Sequence, residues 1–540
     1  MFFAICFLWF IRETKAILFW LYLWQLKEYH IGRFLDHFRT EKGKQLLINK
    51  LLIFKITLIF ILFPIWFVSN RFDLDWILLY VITASLIILS LYFIESFQTF
   101  RNIFRKELKK PVLTKKTFFL ILCGLGLEGL FLFALLQLEI FFLLFTFSLL
   151  MFDILTPIII SAVVLLFQPL AVLGRNQIIK KAIKKREQFK NLLVIGITGS
   201  YGKTSTKEFL YTILSEKYNV LKTAEHQNSE VGISQCILND LKPEHEIFVV
   251  EMGAYNRGGI KLLCDIAKPK IGILTGINEQ HMATFGSLEN IIKGKYELIE
   301  ILPADGLSIF NGDNPYCLEL YQKTTIKKKV YSLQSSILGR PADIWAYNIR
   351  AEKDFITFEV TTGDEMVDFG VSLLGLHNIS NILAAVCCAK ELGMSLEEIA
   401  QGCQKIKPEQ GAMTLSKAKS GLNIIDSTYS ANPEGVISHL DYLKIWPSKK
   451  IIVMPCLIEL GMASKEIHRR IGQKISEVCD LAIITTKDRF KEIQEGAGEK
   501  AVFIENPKEI FEKIKTFCKE GDIVLLESRV PKQLISLLSD

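Results

Sequence analysis

The feature that most constrains this chain is a set of apolar runs too long for an ordinary soluble core, all confined to its first third. Residues 51–68, 76–94 and 118–136 are each about the length of a bilayer-spanning helix, and a longer tract follows at 140–173. Asp153 and Pro157 interrupt that tract, so it reads as one span with a bent or re-entrant piece, or as more than one span. Residues 1–26 have two readings, because Arg12, Glu13 and Lys15 break the run: a poor span, or two short interfacial helices. Residues 1–175 thus predict an N-terminal α-helical transmembrane bundle of about four to six apolar segments.

The charges between the runs give the orientation. Segments 27–50, 101–116 and 174–191 carry six, seven and seven Lys or Arg. Segment 70–75 carries only Arg71 against Asp73 and Asp75, and 137–139 carries no Lys or Arg. Basic loops stay inside, which places the rich segments and everything after Arg175 on the cytoplasmic side of the cell membrane, after an even number of crossings, most simply four. Glu128 falls mid-span and predicts a carboxyl facing the bundle or paired within it, with a substrate-pathway residue as the other reading. The net charge of +7 sits in basic clusters beside the apolar runs, which points to the lipid bilayer as partner. No stripe of basic and aromatic residues suggests nucleic-acid binding. The eleven cysteines form no C-x-x-C pair and read as small buried apolar residues in a reducing compartment. No small-residue cleavage site follows the first apolar run, so no removable signal peptide is expected.

After a basic cytoplasmic linker at 176–191 the pattern becomes α/β, with a central domain at 192–408 and a C-terminal domain at 409–540. Residues 192–197 are a continuous apolar run, fit for a buried parallel strand. The run leads straight into Thr198-Gly199-Ser200-Tyr201-Gly202-Lys203-Thr204, and a helical pattern starts at Ser205. Strand, Gly-rich turn, Lys-Thr and helix is a recipe for holding ATP. Backbone N–H groups and the helix N-terminus face the phosphates, Lys203 neutralises charge, and the Thr204 hydroxyl reaches Mg²⁺. Ile197, not Gly, stands six residues before Lys203, so the general Walker spacing fails and the shorter T-G-x-x-G-K-T pattern fits.

A second buried-strand run at 247–250 ends in Glu251-Met252-Gly253-Ala254, where a carboxylate beside a phosphate loop suits a metal ligand; a solvated strand-end Glu is the bland alternative. A third run, 271–275, is followed by Asn278 and His281. Together with Lys293-Gly294-Lys295-x-Glu297, Asn311-Gly312-Asp313-Asn314 and Gly375-Leu376-His377-Asn378-x-x-Asn381, these stretches occur in an order that resembles the muramyl-peptide (Mur) ligase family. Asp426-Ser427-Thr428-Tyr429-Ser430-Ala431-Asn432-Pro433, Glu459-Leu460-Gly461 and His468 look most like the member that adds D-alanyl-D-alanine to a muramyl-tripeptide. The resemblance covers roughly 192–540 and none of the apolar part.

That resemblance implies roles. Residues 198–205 would hold ATP, with Lys203 and Thr204 at the triphosphate and its Mg²⁺. Glu251 would bind a metal and His281 a second one. Lys295 matches a lysine carried as a carbamate, which turns a cation into an anionic metal ligand; the alternative is a surface helix lysine. Asn311 and Asp313 would lie against the adenine and Asp426 against the ribose. Thr223, Asn228 and Ser229, in a stretch similar to the family's muramyl-peptide loop, would meet substrate, as would His377, Asn378, Tyr429 and Asn432. Ser430 would lie near the C-terminal domain's share of the site. The implied reaction is ATP-dependent amide bond formation in peptidoglycan precursor synthesis: a carboxylate is phosphorylated, and an amine displaces phosphate. No covalent enzyme nucleophile is needed.

Runs at 451–455, 481–485, 502–504 and 523–526 predict a smaller Rossmann-like sheet in the C-terminal domain. Four departures from the family stand out. Glu409-Gln410-Gly411 replaces an expected Pro-Gly-Arg, Pro455-Cys456-Leu457 an expected Gly-Asp-Met, and Leu526-Glu527-Ser528-Arg529 an expected Lys-Gly-Ser-Arg. The family's uridine-nucleotide-binding N-terminal domain has no soluble counterpart. The resemblance implies as acceptor a muramyl peptide, carried either on UDP or on a lipid held by the apolar part, and as amine D-alanyl-D-alanine or another amino acid or amide. A nucleotide-driven transporter is the rival from another class, but it has no need of the His377-Asn378 and 426–433 motifs.

Overall fold

The computed structural model describes residues 1–69, 76–137, 142–225, 227–408, 412–429 and 431–539. It divides into two compact units, residues 1–175 and 176–540. The sequence readings on Arg71, Asp73, Asp75, Glu409, Gln410, Gly411 and Ser430, and on residues 138–139, lie outside the described residues.

The first unit is helical: α1 Phe2–Leu26, α2 Ile31–His37, α3 Glu41–Leu47, α4 Lys50–Ser69, α5 Trp76–Phe104, α6 Lys115–Gln137 and α7 Phe142–Arg186, the last running into the second unit. Among the described residues, three helical stretches are long and apolar enough to cross a membrane by length and composition: Ile82–Phe104, Lys115–Gln137 and Leu144–Arg186. Of the two readings of residues 1–26, the structure takes the single helix, α1. The reason is that Arg12 and Glu13 have partners on neighbouring helices: Arg12 pairs with Glu95 of α5 at 3.2 Å and with Asp153 of α7, and Thr156 of α7 donates to Glu13. Likewise α7 runs unbroken through Pro157 and Pro169. The Ser161 hydroxyl donates to the Pro157 carbonyl at 2.7 Å, the back-bond to residue i−4 that serine makes inside helices. Lys55 of α4 completes the cluster, 2.7 Å from Glu95 and 2.6 Å from Asp153. Glu128 is buried and accepts from Thr14 of α1 at 3.2 Å, the bundle-facing arrangement expected of it.

The second unit holds two sheets. In the central one, strands β1 Leu193–Thr198, β2 Val220–Lys222, β3 Ile247–Glu251, β4 Ile271–Leu274, β5 Leu307–Asn311 and β6 Lys327–Ser332 are parallel, a small hairpin pairs β7 Ser336–Ile337 with β8 Arg340–Pro341, and β9 Ile344–Ala351, β10 Ile356–Thr361 and β11 Met366–Val371 extend the edge. The order is β11-β10-β9-β6-β5-β4-β1-β3-β2. β1, β3 and β4 are buried on both faces, which is why their sequences are continuous apolar runs. The chain leaves β1 with β3 on one side and β4 on the other, the switch point where open α/β sheets bind ligands beyond the strand ends.

The smaller sheet consists of β12 Thr414–Lys417, β13 Asn423–Ser427, β14 Lys450–Met454, β15 Leu481–Ile484, β16 Ala501–Phe503 and β17 Ile523–Glu527, in the order β12-β13-β17-β14-β15-β16, with only β12 antiparallel. The four strands read from the sequence are β14 to β17; β12 and β13 come in addition. The basic segment after residue 175 is helical to Arg186 and packed on the central domain. Lys185 donates to the Leu238 and Leu241 carbonyls at 3.0 and 2.8 Å, and Arg186 to that of Ala267 at 3.0 Å.

Candidate active site

The phosphate loop closes β1. The Thr198 hydroxyl donates to the Met252 carbonyl at 2.9 Å, tying the loop to the end of β3. Ser200 N–H donates to the Gly276 carbonyl at 2.7 Å, and Asn278 N–H to the Ser200 hydroxyl at 3.1 Å. Gly202 takes a left-handed φ of 75°, and a Cβ there would meet the Asn381 side-chain oxygen at 2.3 Å, so this turn favours glycine. Helix Lys203–Leu214 starts next, with Thr204 and Ser205 in its first turn. The Lys203 ammonium folds back onto the Gly199 carbonyl at 2.9 Å, a contact an incoming phosphate would replace.

At the end of β3, Glu251 is held from three sides. Its N–H donates to the Thr223 hydroxyl at 3.1 Å, and the Asn228 amide donates to Oε1 at 3.0 Å. The third is Lys207, fully buried one turn beyond Lys203, with its ammonium 3.6 Å from Oε2 and 3.2 Å from Glu208. Lys207 was missed in the sequence; its spacing of four from Lys203, on the same helix face, was the available signal. Ser229 caps helix Glu230–Asn239.

Lys295, on helix Leu288–Glu300, is only 2 % exposed, and its ammonium reaches a single acceptor, the Ala254 carbonyl at 3.3 Å. The surface-lysine reading is therefore set aside. Burial, reinforced by the positive charge of Lys203, pushes this amine down to about 7. Burial likewise lowers His281, against the raising effect of Glu459. Burial lowers Lys203 too, while Glu251 opposes it. The charges of Lys203, Glu251, His281 and Lys295 thus act on one another across one site.

Among the described residues no three His, Cys, Asp or Glu close a cage for a metal ion. Magnesium held through one or two carboxylates plus nucleotide phosphates needs no cage. Glu251, whose Oε2 faces an ammonium beyond hydrogen-bond length, and the half-buried His281 have the donor chemistry for that role.

The other predicted residues mostly shape the loops around this centre. The Asn311 amide donates to the Thr275 carbonyl at 2.7 Å, and Asp313 accepts from the Ser332 hydroxyl at 2.6 Å. The Tyr201 hydroxyl accepts from the Asn314 amide at 3.2 Å. The Asn378 amide is taken by the Leu374 carbonyl at 2.8 Å. On the C-terminal domain, Asp426 accepts from Thr428 N–H at 2.9 Å, Tyr429 is exposed, and Asn432 caps helix Pro433–Leu443.

The C-terminal domain meets the central one at the site. Asn278 donates to Glu434, which Arg470 also binds at 2.8 Å, and His281 Nδ1 lies 2.8 Å from Glu459. The His377 and His439 rings are 5.2 Å apart. Asn278, Glu434 and Glu459 join the site although the sequence reading gave them no role in it. Glu527, the departure in the last motif, is fully buried with His439 Nδ1 at 2.7 Å, and Leu457 N–H donates to the buried His468 at 2.9 Å.

The Mur ligase middle domain description matches residues 197–389, and that of the Mur ligase glutamate ligase domain matches 413–529. The UDP-N-acetylmuramoyl-tripeptide–D-alanyl-D-alanine ligase of Synechocystis is 31% identical over 353 residues, 64% of this chain and 73% of that protein. The Bacillus subtilis enzyme of the same name is 30% identical over 355 residues, 64% and 75% respectively. Among solved structures, MurF from Acinetobacter baumannii superposes with a TM-score of 0.62 at 26% identity, over 68% of this chain and 80% of that one. MurF from Thermotoga maritima in complex with ADP superposes with 0.60 at 27%, over 68% and 83%. Phosphate loop, buried lysine, strand-end glutamate and the C-terminal domain meeting them all fall within the matched regions, and the chain belongs to the Mur ligase family.

Proposed function

We propose that this protein joins the carboxylate of a muramyl tripeptide to the amine of D-alanyl-D-alanine, using ATP. The observation that carries the reading is the convergence of Lys203, Glu251, His281 and Lys295 at the end of β1, where the two domains meet. The γ-phosphoryl group passes from ATP to the carboxylate, the P–O bond to ADP breaks, and an acyl-phosphate forms. The amine attacks its carbonyl, and phosphate leaves from the tetrahedral intermediate with loss of a proton. Lys203 leaves the Gly199 carbonyl for the phosphates, and the N–H groups of 199–204 hold them in line. Asn228, Thr223 and Lys207 keep Glu251 in place. Bound Mg²⁺ supplies charge neutralisation between the two crowded anions. Mass spectrometry of products from the full chain with Mg²⁺, ATP, UDP-MurNAc-tripeptide and D-alanyl-D-alanine tests this. The pentapeptide product and ADP should form only when both substrates are present; ATP turnover indifferent to the amine would sink it.

The helical unit supports a second reading, in which α5 to α7 anchor the catalytic unit at the cytoplasmic face of the membrane and the acceptor is lipid-linked. Its support is that these apolar helices stand outside the matched region, while the Synechocystis and Bacillus relatives are matched over only about three quarters of their length. Comparing turnover of the UDP-linked and lipid-linked forms of the same peptide separates the readings, and preference for the UDP form rejects this one.

A further inference from the structure

His281 and Glu459 face each other from different domains, and both are held in a backbone conformation that L-residues rarely adopt. His281 has φ 66° and Glu459 φ 65°. Such conformations persist only where the surroundings over-determine them, and they gather at functional sites. Three contacts fix this one. His281 Nδ1 lies 2.8 Å from Glu459 Oε2. Ala283 N–H donates to the Glu459 carbonyl at 3.2 Å. The Tyr255 ring stands at 86° to the imidazole with centroids 4.8 Å apart, which limits its rotation. Two residues on, Gly461 takes a φ of 53°, and a Cβ there would come within 3.2 Å of the Ala283 nitrogen, so a side chain would push the two segments apart.

A carboxylate only accepts hydrogen bonds. The proton of the neutral ring therefore resides on Nδ1, and Nε2 keeps its lone pair. That is the arrangement in which metal-ligating histidines are found, with the far nitrogen donating to a carboxylate that sets tautomer, orientation and basicity. From these contacts we infer that Glu459 is a positioning residue for His281: it fixes the ring with Nε2 bare, so that docking of the C-terminal domain completes the metal site of the central domain. Metal affinity and domain docking are then coupled, and by linkage each strengthens the other. The inference rests on the reading of His281 as a metal ligand.

Calorimetric titration of Mn²⁺ into the full chain bearing a non-hydrolysable ATP analogue tests it. Glu459→Ala should weaken Mn²⁺ about 10- to 100-fold. Glu459→Gln, which keeps an acceptor but loses the charge, should fall between the two. The affinity for the analogue in EDTA should stay unchanged in both. Mn²⁺ affinity within about twofold of wild type in Glu459→Ala overturns the role. Wild type that binds no Mn²⁺ instead overturns the reading of His281 itself, so the two failures are distinct. The ¹⁵N shifts of His281 give a measurement that does not depend on the variants folding. The wild-type ring should be protonated on Nδ1, and a ring protonated on Nε2 overturns the proposal.

Discussion

At the scale of single residues, the most telling side chain is Lys295, a buried amine whose one hydrogen-bond acceptor among the described residues is the Ala254 carbonyl, with the Phe285 ring beside it. Its cost to the fold has a sign that can be worked out. Below pH 7 the lysine is charged in both folded and unfolded chains, and the folded state bears the whole penalty of a buried cation. Between about 7 and the ordinary value of 10.5, the folded amine is neutral while the unfolded one is charged, so stability climbs as pH rises. In bicarbonate-free buffer, Lys295→Met should therefore unfold at a higher temperature than wild type below pH 7, with the gap closing as the pH approaches 10. Calorimetry across that range checks it, and a Met variant less stable at every pH contradicts it. A neutral amine is also the form that reacts with carbon dioxide to give a carbamate. The same burial that strains the fold thus favours the form of the amine that such a reaction requires.

At the scale of elements, strand ends carry the chemistry and helices hold them. β17 ends in Glu527, which meets His439 of helix Pro433–Leu443 at 2.7 Å, while Ser427 at the end of β13 is 3.2 Å from the same nitrogen. Glu527→Ala leaves the buried His439 Nδ1 with only the Ser427 hydroxyl and should lower stability by about 1–3 kcal/mol in urea unfolding. An effect below about 0.5 kcal/mol would mean that this pair is idle. The phosphate loop and β1, β3 and β4 were legible in the sequence because each is a local pattern: an apolar run, a glycine turn, a helix start. The edge strands β9 to β11 were not, since what makes them strands is pairing with one another and, at β9, with β6 across the intervening hairpin. Glu459 was visible only as part of a resemblance, because its partner lies 178 residues away. Lys207 read as one more helix lysine, and only the fold shows it buried beside Glu251.

At the scale of the whole molecule, each unit has its own way of handling charge. The ligase unit gathers cations and carboxylates beyond the carboxyl ends of its inner strands, where a ligand can rearrange them. The helical unit packs the half-buried Arg12 and the buried Lys55 among Glu13, Glu95 and Asp153, where the charges answer one another. Removing one partner strands the others, so Arg12→Leu should cost the helical unit about 3–5 kcal/mol, read as a lower unfolding midpoint of the full chain in detergent. An unchanged midpoint would show that the cluster is dispensable. One consequence concerns the order in which the chain is made. The ribosome delivers Arg12 and Glu13 before the rest of their cluster, and until then they have only each other for company, 2.6 Å apart on α1. Glu95 follows on α5, and Asp153 and Thr156 on α7. The final pairing of α1 therefore has to wait for the synthesis of α7.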